Sequence, residues 1–251
     1  MAYTLRSISQ VGTSEPFELQ VSRGQIPGHS IIHKFGANFD IDSGSIPETV
    51  WSAGGLYPWS ALATAQSLYV LSDDAGDTEE VEIQGLDASY NAITETVTLT
   101  GTTAVQTSSS FLRVYRMLYN HGGTNEGTIT ARTVSSSGTV VAQIDEGLAQ
   151  TLMAVYTVPA GYTAYISNVD ASVQKNKDAQ ISLFVRSKPA ESFRIKHMAE
   201  VYESQYRYEF HYPLRVDEKG DIDVRTADVE SNNTRVTSNF DILLIQNAGP
   251  L

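Results

Sequence analysis

The sequence contains no cysteine. Disulfides, thiolate catalysis and cysteine-ligated zinc are therefore excluded, which fits synthesis in a reducing compartment. Long apolar runs are also missing, since none approaches the roughly 20 residues that a membrane helix needs. The N-terminal segment lacks the basic stretch followed by an apolar one that marks export. We therefore expect neither a membrane span nor a secreted protein.

Positive charge is scarce as well. The chain has 17 Lys and Arg against 29 Asp and Glu, which leaves a net charge of −12. Proteins that coat nucleic acid or bind anionic membranes need clustered basic residues, so both partners are disfavoured. No GxSxG, HExxH, P-loop or GxGxxG motif occurs, and we predict neither catalytic residues nor a cofactor.

The residues that are present indicate β-structure, most clearly in the range 79–101. Val81 and Ile83 alternate with polar residues, and the same alternation returns around Val97 after a loop of Gly, Asp and Asn. A period of two is typical of strands, and the loop predicts that the two strands pair as a hairpin. Glu95 interrupts the apolar face, where we expect either a β-bulge or a position at the rim.

Short strands separated by turn residues continue along the chain, and no long helix is predicted. This pattern favours an all-β fold with two sandwich-like units and long ordered loops. We predict an N-terminal arm over residues 1–28, with a short strand at 17–21. A β-sandwich-like domain follows over 29–147, and a jelly-roll-like sandwich over 148–251. A single domain of this length stays an alternative.

Two groups of aromatic residues are candidate interface positions. Trp51, Tyr57 and Trp59 lie in a loop rich in Gly, Ser and Pro, where they either anchor the loop on its own domain or contact another subunit. The second group alternates along one predicted strand with charged residues and a histidine between: Tyr206, Tyr208, Phe210 and Tyr212. Such a face suits a carbohydrate or protein interface, and equally a half-buried sheet face.

Carboxylates form the candidate cation sites. Two Asp-x-Asp pairs occur, Asp40 with Asp42 and Asp221 with Asp223. Oxygen ligands of this kind bind calcium, although such pairs more often lie on a solvent-facing strand or turn. Calcium binding by the acidic loop 73–80 is also left open, although the spacing of its carboxylates does not fit an EF-hand. His29 and His33 are four residues apart, a spacing that suits a metal only when both lie on one face of a helix. Their segment is not predicted to be helical, so we expect them to be structural.

Four segments carry a resemblance to a known family: EVEIQGLDASYNAITETVTLTGTTAVQTSSSFLRVYRM, GGTNEGTITAR, QTLMAVYTVPAGYTAYI and SNNTRVTSNFDILLIQN. Over about residues 35–247 the chain resembles virion structural proteins of tailed bacteriophages, common among phages of marine and freshwater bacteria. The resemblance implies an all-β protein, made in the bacterial host cytoplasm and placed on the virion in many copies. It brings no catalytic motif.

The resemblance implies one main role and leaves alternatives. As a capsid cement or decoration protein, the chain would bind the major capsid protein as a homo-oligomer, with a trimer favoured, and stabilise the shell. The first alternative is a tail or head-tail adaptor component that binds a receptor. A remote alternative is a carbohydrate-active β-sandwich enzyme with two carboxylates from distant strands.

Overall fold

A computed structural model of the chain describes residues 15–44, 47–120, 122–227 and 229–247. These ranges contain one short helix, α1 (Phe17–Ser22), a 3₁₀ turn at Trp59–Leu62, and sixteen strands. The strands are β1 (His29–Ile41), β2 (Glu48–Thr49), β3 (Tyr69–Ser72), β4 (Glu80–Leu86), β5 (Ala92–Thr98), β6 (Val105–Gln106), β7 (Arg113–Asn120), β8 (Ile129–Arg132), β9 (Val140–Ile144), β10 (Val155–Thr157), β11 (Tyr162–Val173), β12 (Asp178–Arg186), β13 (Arg194–Tyr202), β14 (Gln205–Val216), β15 (Asp221–Ala227) and β16 (Thr234–Gln246). The prediction of an all-β protein is confirmed.

The strands form four antiparallel sheets. Sheet A has the order β1-β16-β11-β14, and sheet B has the order β10-β15-β12-β13 with β2 also paired to β15. Sheet C has the order β6-β3-β8-β9, and sheet D has the order β5-β4-β7. Strands distant in the chain lie side by side in sheets A and B, so their registers are set by tertiary packing.

Sheets A and B share one hydrophobic core. Alternate residues of β11, such as Val169 and Ala171, are buried, and so are Ile181 and Leu183 of β12. Because side chains alternate between the two faces of a strand, each of these sheets contributes its inner face to the core and keeps an outer face.

Sheets C and D lie around a second core. It includes Val81 and Ile83 of β4, Met117 of β7, and Ile144 of β9. All its fully buried members lie between residues 51 and 155. This part of the chain therefore has a core of its own.

The second core is connected to sheet B through an interrupted edge. β2 and β10 both pair with β15, at Thr49↔Arg225 and Val155↔Asp223. Between them Val50 N donates to Val224 O at 2.8 Å, and Ala154 N donates to Val50 O at 3.0 Å. The two short strands thus continue each other along one edge, and residues 51–153 leave and return between them. We call residues 51–153 the inserted unit.

The hairpin prediction is confirmed, because β4 and β5 pair from Glu80↔Thr98 to Leu86↔Ala92 without a register shift. Glu95 therefore forms no bulge in this pair. Its carboxylate accepts hydrogen bonds from the backbone N–H groups of Ser108 and Ser109, each at 2.7 Å. The rim alternative is the one observed, and Glu95 fixes the neighbouring loop.

The predicted strand at residues 17–21 is wrong, because α1 occupies this range. The N–H groups of Leu19 and Gln20 donate to the carbonyl of Pro16, and proline fixes a dihedral that suits a helix start. The helix turns only Val21 into the protein. Residues 1–14, half of the predicted arm, lie outside the described residues.

The proposed domain limits stay a prediction, but the pairing groups the chain differently. β1 and β2 lie in the range 29–147, yet they pair with β16 and β15. Their buried residues Ile41 and Val50 belong to the core between sheets A and B. The cause is that β-strands group by hydrogen-bonded neighbours, which sequence distance does not reveal.

Candidate binding cleft

A cleft of about 850 Å³ lies between the inserted unit and the outer face of sheet B. Its wall combines aromatic rings, small apolar residues and three arginines, with Glu191 as a carboxylate on the exposed loop at its margin. The lining residues that carry the chemistry are Trp59, Tyr90, Arg113, Arg186, Phe193 and Arg225. Mixed aromatic and polar walls of this size are typical of ligand sites.

Asp221 lies behind this wall and is fully buried. Its Oδ1 accepts from Arg113 Nε at 3.0 Å and from Thr157 Oγ1 at 2.6 Å, and its Oδ2 accepts from Arg186 Nε at 2.8 Å. Arg113 belongs to the inserted unit and Asp221 to sheet B. The ion pair therefore joins the two parts of the molecule.

Asp223 is two residues further along β15 and is buried on the same face. Trp59 Nε1 and Arg225 Nε donate to its Oδ2 at 2.9 and 2.8 Å, and Thr49 Oγ1 donates to its Oδ1 at 2.9 Å. Burial raises the pKa of Asp223 above its ordinary value, while the charge of Arg225 and the three hydrogen bonds oppose that change. Trp59 is thus tied to sheet B by a hydrogen bond as well as by packing.

The guanidinium groups stack on aromatic rings as they cross the cleft wall. Arg225 Cζ lies 4.4 Å from the ring centroid of Phe184 and 4.5 Å from that of Phe193. Arg186 Cζ lies 4.6 Å from the Phe193 ring and 5.6 Å from the Trp59 ring. Cation–π contacts strengthen when they are desolvated. The aspartates on one side and the aromatic rings on the other therefore hold the arginines in place. The carboxylates lie behind the wall, and a ligand would meet guanidinium groups and rings.

The Asp221–Asp223 pair therefore differs from both alternatives of the sequence analysis. The two side chains point away from solvent, and arginine, threonine and tryptophan donors occupy their oxygens. The reason is that the inserted unit covers the outer face of sheet B at this point. An aspartate saturated by arginines is a poor calcium ligand.

Within the described ranges, no group of three or more His, Asp or Glu side chains is placed to hold a metal ion. In the acidic loop 73–80, Asp77 is buried and accepts from Ser72 Oγ at 2.6 Å and from the N–H groups of Glu126 and Gly127 at 2.8 and 3.0 Å. Burial acts to raise the pKa of Asp77, but these bonds outweigh it and lower the pKa. The loop is thus fixed by protein donors.

The tryptophan loop is anchored on its own chain. Trp51, Tyr57 and Trp59 are buried in the second core, and their rings make edge contacts at 5.1 and 4.7 Å. Trp51 Nε1 donates to Gly55 O at 3.0 Å, and Tyr57 OH donates to Val114 O at 3.2 Å. This burial supports the anchor interpretation, and of the three residues Tyr57 and Trp59 also reach the cleft wall.

The tyrosine strand is β14, and its aromatic residues differ in environment. Tyr206 and Phe210 pack against the core between sheets A and B, whereas Tyr208 is exposed and Tyr212 is 82% exposed. His197 of β13 stacks on Tyr208, with ring centroids 4.3 Å apart, and hydrogen-bonds Tyr206 OH at 2.9 Å. Burial lowers the pKa of His197. Two of the four aromatic side chains thus pack against the core, and the other two are exposed.

Sequence reasoning missed Arg113, Arg186 and Phe193. Each arginine stands at one end of an apolar strand, Arg113 at the start of β7 and Arg186 at the end of β12. A charged residue at a strand end is ordinarily taken as solvent-facing, so the sequence gives no signal that they meet the aspartates.

Within the part of the chain that the structure describes, no helix has the length and apolar character to cross a membrane. Comparison of the chain with protein-family models, with curated proteins and with solved structures returns no match.

Proposed function

We propose that the chain is a virion structural protein of a tailed bacteriophage, most simply a capsid cement or decoration protein that binds the shell in many copies. In this proposal it recognises the major capsid protein and copies of itself, as a trimer, and acts by binding. The family resemblance across residues 35–247 gives the proposal its direction.

The proposed architecture is a jelly-roll sandwich carrying an inserted β-sandwich-like unit. The strand order of sheets A and B supports it, because β1-β16-β11-β14 opposite β10-β15-β12-β13 follows the eight-strand pattern of two Greek keys. Jelly rolls are common in capsid and lectin domains, but a fold alone does not assign a function.

The observation that carries the binding role is a set of exposed apolar side chains on β13 and β14. Both are edge strands of their sheets, and a two-residue turn joins them at one edge of the sheet pair. Ile195 and Met198 are each 51% exposed, Tyr202 is 65% exposed, and Tyr208 and Tyr212 belong to the same strands. We call these five residues the edge strip. Exposed aromatic and methionine side chains are enriched in interfaces, and an unpaired strand edge offers backbone groups to a partner.

The test uses shells assembled from the major capsid protein without this chain. We expect wild-type protein to bind such shells and raise their melting temperature, and we expect Met198→Ser with Tyr212→Ser to bind at least tenfold more weakly. The matched control is Val134→Ser, because Val134 is 57% exposed and lies on the inserted unit. Equal binding by the double variant and the control would remove the edge strip from the proposal.

A tail or adaptor role is the second candidate, and the 850 Å³ cleft favours it, because a shell protein needs no ligand pocket. Gold labelling of a tagged protein on intact particles separates the two roles. Label over the whole head supports the cement role, and label confined to one vertex or to the tail refutes it. The enzyme alternative gains no support from Asp221 and Asp223, since arginines hold both carboxylates.

A further inference from the structure

The outer face of sheet A carries a regular array of polar side chains. Cross-strand registers place residues of β1, β16, β11 and β14 in three rows on this face. The rows are Ala37–Thr237–Ser172–Gln205, Phe35–Asn239–Asp170–Arg207 and His33–Asp241–Asn168–Glu209. Neighbouring strands lie about 4.8 Å apart, so one row spans about 14 Å. A cavity of about 520 Å³ lies over the β16, β11 and β14 residues of the first two rows.

Asp170 is the centre of this array and has one satisfied and one unsatisfied oxygen. Its Oδ2 accepts from Asn239 Nδ2 at 2.9 Å and from Asn168 Nδ2 at 3.4 Å. Its Oδ1 is buried and has no hydrogen-bond donor among the described residues. The nearest cation is Arg207 Nε at 3.7 Å, which is too far for a hydrogen bond. A buried carboxylate oxygen without a donor is unfavourable, and unsatisfied groups of this kind are rare in folded proteins.

The position of the Arg207 side chain allows a ligand to displace it. Its side chain is 64% exposed, and its Nη2 pairs with Glu209 at 3.0 Å. Its guanidinium is thus held beside Asp170 by an exposed residue two positions along the strand. An exposed pair of this kind contributes little stability, so a small displacement of Arg207 is inexpensive.

The rest of the cavity offers hydrogen-bonding groups in fixed positions. Ser172 Oγ and Thr237 Oγ1 lie 2.6 Å apart, and Gln205 completes their row. At the other end of the central row, beyond the residues that line the cavity, Phe35 is half-buried, with its ring 5.8 Å from that of His33. A pyranose ring has hydroxyl groups at its edge and C–H groups on its face. It matches polar groups in the middle of the sheet and an aromatic ring beside them.

We propose that this outer face of sheet A binds a neutral saccharide, with the Oδ1 of Asp170 accepting a sugar hydroxyl and Arg207 donating to a neighbouring oxygen. A metal ion fits less well, because the guanidinium of Arg207 lies 3.7 Å from the oxygen that would coordinate it. The proposal does not depend on shell binding, since the edge strip belongs to other residues.

The test is titration of the full chain with maltose, cellobiose and lactose, followed by NMR of the side-chain amides. With at least one sugar, we expect saturable shifts of Asn168 and Asn239, whose amide groups share Asp170. Arg207→Ala and Asp170→Asn should each weaken this binding about tenfold or more. Arg207 is exposed, so its variant should fold even where Asp170→Asn does not.

The control is Asp217→Asn, which removes an exposed carboxylate whose partner Arg215 is also exposed. Its affinity should equal that of the wild type. Absence of saturable shifts with all three sugars, or binding that Arg207→Ala leaves unchanged, would overturn the proposal. Shifts of the same amides with calcium alone would overturn it too, in favour of a cation site. Shell binding is measured separately, so failure here leaves the virion role untouched.

Discussion

Replacing Asp221 with asparagine tests whether the buried ion cluster holds the inserted unit on sheet B. The substitution keeps the size of the side chain and one oxygen, but it removes the charge. It also turns an amide N–H₂ group toward arginine N–H donors. Arg113 and Arg186 would then remain nearly buried, with exposures of 4% and 13%, without the carboxylate that they share.

The size of the effect follows from this burial. Removing one partner of a buried pair costs about 3–5 kcal/mol, because the remaining charge is uncompensated. Two arginines depend on Asp221, so we expect the upper part of that range, about 4–5 kcal/mol. That is a large share of the roughly 5–15 kcal/mol by which most domains are stable. With an m-value near 3 kcal/mol/M, the urea midpoint should fall by about 1.5 M.

Urea unfolding followed by tryptophan fluorescence is the assay, because Trp59 lies in the same cluster. Asp217→Asn is the matched control, since it makes the same chemical change in an exposed pair with Arg215. Exposed pairs contribute about 0–1 kcal/mol. A midpoint for Asp221→Asn that equals the control's would refute the view that this carboxylate joins the two units.

Three further substitutions test other buried groups, each by urea unfolding. Burial lowers the pKa of Lys34 well below its ordinary value, so wild-type stability should rise with pH toward 10.5, the ordinary value. The stability of Lys34→Met should not rise with pH in this way, and at neutral pH its free energy of unfolding should exceed that of the wild type by about 1–3 kcal/mol. A lower free energy of unfolding at neutral pH would contradict this expectation. Asp77 has a lowered pKa and stabilises the fold above its ordinary pKa of 3.8, so the deficit of Asp77→Asn should be largest at pH 7 and shrink as the solution is acidified. A deficit independent of pH would refute the role of its charge. Gly36→Ala should lower the free energy of unfolding by about 3 kcal/mol or more, because the added Cβ would lie 2.1 Å from Val50 O. If this variant is as stable as the wild type, the strands can separate there.

Local patterns predicted the parts of the fold that are local. The hairpin of β4 and β5 follows from alternation and a short turn, and both strands are neighbours in the chain. The same reasoning failed at residues 17–21, where alternation in a five-residue segment does not separate a strand from one helical turn. A strand also needs a partner at its side, and the helix makes its own hydrogen bonds after Pro16.

The candidate cleft illustrates what alternation cannot show. The pattern of β15 correctly separates Ile222 and Val224 from Asp221 and Asp223, since the two pairs lie on opposite faces. The outer face of a sheet usually meets water, but here the inserted unit covers it and supplies Arg113. That covering is a tertiary contact between distant segments. Periodicity predicts which face of β15 the two aspartates occupy, and only the structure shows that the inserted unit lies against that face.

The interrupted edge of sheet B has a consequence for how such a chain can vary. Val50 and Ala154 are joined by a backbone hydrogen bond of 3.0 Å, so the chain leaves and re-enters the sheet at adjacent points. A replacement segment whose ends are equally close would leave the pairing of β2 and β10 with β15 in place. Recombination at this joint would therefore exchange one inserted unit for another, while the proposed interface on β13 and β14 is inherited unchanged.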